Sequence, residues 1–83
     1  MFKIKHEKKF SDLNLVSIKP VPGFWWSKEE ALEEAWDLVN SAVISRLYGR
    51  KKAKIYRSDN GFIVIHHLGG YDKYSVYDGG VFY

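Results

Sequence analysis

The 83-residue chain has no cysteine, and this excludes disulfide scaffolds, cysteine-based zinc sites and thiol nucleophiles. It has only two prolines, and its longest purely apolar run is the four residues Phe62 to Ile65, far short of a membrane span. The first six residues, Met1 to His6, alternate apolar and basic side chains and contain no apolar core of the signal-peptide kind. The expectation is a cytoplasmic protein with no membrane association. What the chain does have is 46% hydrophobic, 17% aromatic and 28% charged residues, a globular composition with enough apolar material for one core. Lysine outnumbers arginine ten to three, and residues with AT-rich codons are abundant. That bias is common in phages and low-GC bacteria.

One long helix is predicted over 28–48. Ser27 and Glu30 have the spacing of a capping box, and Glu29 and Glu30 complement the positive end of the helix dipole. Leu32, Ala35, Trp36, Val39, Val43 and Leu47 recur at three and four to make an apolar stripe, widened by Ala31, Leu38 and Ala42. Arg46 sits near the far end, and Gly49 is placed to stop the helix. Glu30, Glu33, Glu34, Asp37 and Asn40 occupy the opposite face.

Elsewhere the pattern has period two. Strands are expected at about 2–10, 13–19, 50–58, 62–68, 73–78 and 81–83. Asp59-Asn60-Gly61 is a hairpin signal, and Gly69-Gly70 and Gly79-Gly80 mark further turns. Pro20, Pro22 and Gly23 imply a connection before the helix, and the apolar run at 62–68 implies the sheet centre. The fold class is therefore α+β: a single ββαβββ domain, with a twisted, mainly antiparallel sheet and one long amphipathic helix on one face.

Three constellations bear on function. Alternation puts Lys3, Lys5 and Lys9 on one face of the first strand, opposite Phe2, Ile4 and Phe10. It separates Lys52, Lys54 and Tyr56 from Ala53 and Ile55, and Lys73, Ser75 and Tyr77 from Tyr74 and Val76. In one sheet these make an open face of lysines interleaved with Tyr56 and Tyr77. Such a face suits single-stranded nucleic acid, although solvating lysines also keep an uncovered sheet from aggregating.

The second constellation is Phe24-Trp25-Trp26, three large rings that cannot all point inward from an irregular connection. Trp26 is placed for a staple on the first helical turn against Ala31, another ring is expected in the core, and an exposed ring would be an interface anchor. The third is His66-His67, whose side chains leave opposite faces of a strand and so do not share a metal. One packed and one exposed imidazole are expected. Either could serve as a general base with Lys52, Lys54 or Arg57 stabilising charge.

The functional expectation is a non-catalytic binding protein, acting stoichiometrically on a host macromolecule as a phage or mobile-element regulator or inhibitor would. A protein target comes first, engaged through Phe24, Trp25 and Trp26 or through unpaired sheet edges. The alternative is a nucleic-acid-binding module using Lys3, Lys5, Lys52, Lys54, Tyr56 and Tyr77, and the third is a small ribonuclease. No cofactor and no metal is expected. Dimerisation through a sheet edge is a further option.

Overall fold

A computed structural model describes residues 1–9, 15–45, 53–66 and 69–79. The element order is β1 (Phe2–Lys9), β2 (Val16–Pro20), α1 (Lys28–Ser45), β3 (Ala53–Ser58), β4 (Gly61–His66) and β5 (Tyr71–Asp78). The five strands form one antiparallel sheet in the order β2-β1-β5-β4-β3, and α1 packs on one face of it. The ββαβββ architecture is thus present. No helix among the described residues is long and apolar enough to cross a membrane.

The N-terminal and C-terminal strands are neighbours in the sheet. β1 and β5 pair along their whole length, from Phe2↔Asp78 to Lys9↔Tyr71. This pairing corrects one expectation. The centre of the sheet is β5, which begins at Tyr71, two residues earlier than the alternation implied, and β4 lies one strand off centre. β2 also differs from the expected 13–19, for Pro20 is its last residue and pairs with Lys5. A proline is tolerated there because β2 is an edge strand, where the missing N–H breaks no ladder. Pairing continues past it, with the Val21 N–H donating to the Ile4 carbonyl at 2.9 Å. The connection then turns at Gly23, whose φ of 106° suits glycine.

Ser27 caps α1, its Oγ accepting from the Glu30 N–H at 3.2 Å. The buried centre of the helix is Ala31, Ala35 and Val39, spaced four apart, and Leu32 and Leu38 flank it. Two alanines at the contact let the helix approach Ile4, Phe62, Val64, Tyr74 and Val76 closely. Trp36 therefore sits at the margin of the stripe, 40% exposed, with its ring 5.1 Å from Phe62. The expected helix end at Arg46 to Gly49, the start of the third strand at 50–52, Phe10, His67, Leu68 and the strand at 81–83 lie outside the described residues.

Candidate functional site

Directly opposed residues of paired strands share a face, so the registers define the uncovered side of the sheet residue by residue. One row runs Pro20, Lys5, Ser75, Gly61, Ser58 across all five strands. The next runs Ile18, Glu7, Lys73, Ile63, Tyr56, and the third Val16, Lys9, Tyr71, Ile65, Lys54. Lys3 and Tyr77 make a partial row beyond Lys5 and Ser75. Lys3, Lys5, Lys54, Tyr56 and Tyr77 are thereby brought onto one face, as the alternation implied. Lys52 lies outside the described residues.

The face holds five lysines against one glutamate, so it is strongly basic, while Glu29, Glu30, Glu33, Glu34 and Asp37 make the helix acidic. It is also partly apolar. Ile18 is 59% exposed and Tyr56 50%, with Val16, Ile65 and Tyr77 exposed alongside them. The aliphatic part of β4 is not legible in the sequence, because a run apolar on both faces reads as the sheet centre. Having only one covered face, the sheet leaves Ile63 and Ile65 on its outer side.

Tyr71 and Glu7 meet on this face. The Tyr71 hydroxyl donates to Glu7 Oε2 at 2.6 Å, and this hydrogen bond, with desolvation and the Glu7 charge adding to it, pushes the phenol above its ordinary value of 10.0. The folded state therefore holds the phenol proton more tightly than the unfolded chain does. The contribution of this bond is complete below about pH 10 and is lost as pH rises through the raised folded value. In a phenolate absorbance titration, one tyrosine should ionise later than its exposed counterparts, and Glu7→Gln should return it to the common range. Unchanged ionisation in Glu7→Gln would contradict the pairing.

Phe24-Trp25-Trp26 runs beside the start of β1. Trp25 and Phe2 exchange both backbone hydrogen bonds, at 2.8 and 2.9 Å, and the Trp25 ring packs half-buried against the core. Trp25 is therefore a packing residue rather than a free anchor. Its two neighbours are exposed. Phe24 and Trp26 contact each other edge to face at 5.2 Å, with Trp26 73% exposed. The expected staple of Trp26 on Ala31 is replaced by this pair, since Ala31 is already buried against the sheet.

On the helix side, a polar cluster ties three strands together. Asp72 is fully buried, and its two carboxylate oxygens accept from His6 Nε2 at 2.7 Å and His66 Nε2 at 2.6 Å. His6 and His66 reach it diagonally from β1 and β4, the strands on either side of β5. His6 also stacks on Tyr74, with ring centroids 4.4 Å apart. His66 is only 5% exposed. Asp72 was missed in the sequence, though the signal was there: it shares the inward parity of Tyr74 and Val76, and a carboxylate at an inward position needs donors. Among the described residues, no group of three or more histidine and acidic side chains is arranged to hold a metal ion.

No protein family, curated protein or solved structure matches this chain.

Proposed function

We propose that this is a non-catalytic binding protein that docks stoichiometrically on an acidic, partly apolar surface of a protein partner. The observation that carries the proposal is the composition of the open sheet face, where exposed Val16, Ile18, Ile65 and Tyr56 lie among five lysines. Covering those side chains gains about 25 cal/mol for each Å² of apolar surface removed from water. The lysines set the charge of what covers them. Two copies meeting through this face would bring five lysines against five, which disfavours a face-to-face homodimer. The described rows span roughly 20 Å by 20 Å, about half of the ~800 Å² per partner in a standard interface. Phe24 and Trp26 add a further exposed aromatic pair, and a Trp of such exposure is a frequent hot spot. The codon bias toward AT-rich genomes fits a phage or mobile-element origin, in which case the partner belongs to the host.

Tyr56 and Tyr77, exposed among lysines, favour a second reading, single-stranded nucleic acid stacked on the rings with its phosphates on the lysines. Anisotropy of labelled single-stranded RNA and DNA separates the two. For a protein-docking face, binding should stay near the non-specific level of about 10⁻⁴ M at physiological salt. Tight binding with a log–log salt slope near −3, lost in Tyr56→Ala, would overturn the protein reading in favour of the nucleic-acid one.

A further inference from the structure

The helix does not cover the sheet evenly. α1 packs mainly across β4, β5 and β1, and β3 lies beyond it at the edge of the sheet. The result is an open groove of about 720 Å³ between the helix and the inner face of β3. Leu32, Trp36, Ile55 and Phe62 supply its apolar lining. Glu29, Glu33 and Asp37 stand along the helical wall, one every four residues, and Arg57 stands on the strand side.

We propose that this groove takes an extended, basic peptide segment of another protein, added as a strand to the edge of β3. Among the described residues β3 pairs only with β4, so every second residue directs its N–H and C=O outward, where an incoming strand can accept and donate. A strand added there lies about 4.8 Å from β3 and sends alternate side chains toward the helix, into the groove. Lysine or arginine at alternate positions is thereby presented to the wall that carries Glu29, Glu33 and Asp37, with its aliphatic stem toward Leu32 and Trp36.

Charge decides between occupants. Three carboxylates against one guanidinium leave the groove acidic, which repels phosphates and so excludes nucleic acid. A second copy adding its own β3 would bring one Arg57, but also another Glu29, Glu33 and Asp37. A basic peptide from elsewhere meets no such opposition. This site is on the opposite side of the sheet from the basic face and is independent of it.

The probe is a fluorescein-labelled short peptide of alternating lysine and threonine, followed by anisotropy. Saturable binding is expected, weakened at least about tenfold by Glu33→Lys with Asp37→Lys. Glu33 and Asp37 are exposed and away from the core, so the fold of that variant should be retained, as circular dichroism will show. Two further peptides carry N-methyl groups on all lysines or on all threonines. Strand addition requires that one of them lose binding and the other keep it, because only one set of amides faces β3. Equal binding of both, or no binding at protein concentrations on the order of 1 mM, would overturn the proposal. So would self-association of the protein that Glu33→Lys with Asp37→Lys abolishes, since it would assign the groove to a second copy.

Discussion

Replacing Asp72 by alanine is expected to cost about 3–5 kcal/mol of folding stability, most of what a domain of this size possesses. The carboxylate is fully buried, and each oxygen accepts from a different imidazole. Deleting it leaves a cavity at the middle of the sheet and strips His66, itself buried, of its hydrogen bond to a carboxylate. The cluster also joins β1, β5 and β4, so its loss loosens the pairing of the first strand with the last. His6→Ala should cost less, about 1–2 kcal/mol, because His6 is partly exposed and water can take its place on Asp72. Urea unfolding measures both, and the midpoint should fall without a change of slope. A cost below about 1 kcal/mol for Asp72→Ala would show that the cluster does not hold the strands as described.

Gly61→Ala is expected to be comparably severe. Gly61 opens β4 directly after the Asp59-Asn60 turn and faces Ser75 across the ladder. A Cβ there would lie 1.9 Å from the Tyr74 carbonyl oxygen and 3.0 Å from its carbon, both backbone atoms that cannot turn away. Its φ of 155° is also one that side-chain-bearing residues rarely adopt. Relief requires β4 to move off β5, which takes with it the 2.6 Å hydrogen bond from the Val76 N–H to the Asn60 carbonyl. A loss of about 3–5 kcal/mol follows, read as a drop in thermal midpoint of roughly 15 °C or more. Gly69→Ala is the control: its φ of 98° is strained for alanine, yet nothing lies within 4 Å of the added carbon. It should cost about 1–2 kcal/mol. Equal effects at the two glycines would argue against the close approach of β4 and β5 at Gly61.

Much of this fold could be read from local pattern, because local pattern is what produces it. The cap at Ser27 and the three-four spacing after it define α1, and period-two alternation assigns Lys3, Lys5, Lys54, Tyr56 and Tyr77 to one face whatever the strand order. Strand order itself was not legible. β1 and β5 meet across some seventy residues of chain, and nothing near either strand names its partner. The errors at the site descend from that gap. Without the order, Asp72 has an inward parity but no visible donors, and β4, apolar on both sides, reads as the centre strand. Trp25 could not be told from Phe24 and Trp26 until its bridge to Phe2 set which of the three turns inward. Pro20 suggested a break because proline ends an interior strand, whereas β2 is an edge.

The most direct test of the open face is site-specific photo-crosslinking. A benzophenone amino acid at position 56 lies on the edge strand of the proposed contact, and one at position 41, exposed on the helix and outside the groove, serves as control. After irradiation in an extract of the native cell, position 56 should give one discrete adduct that protease removes and nuclease does not. That adduct should disappear in the Lys5→Glu, Lys73→Glu background, while position 41 should never give it. An adduct at position 56 that nuclease removes, or one that survives reversal of both lysine charges, would contradict docking of a protein on this face.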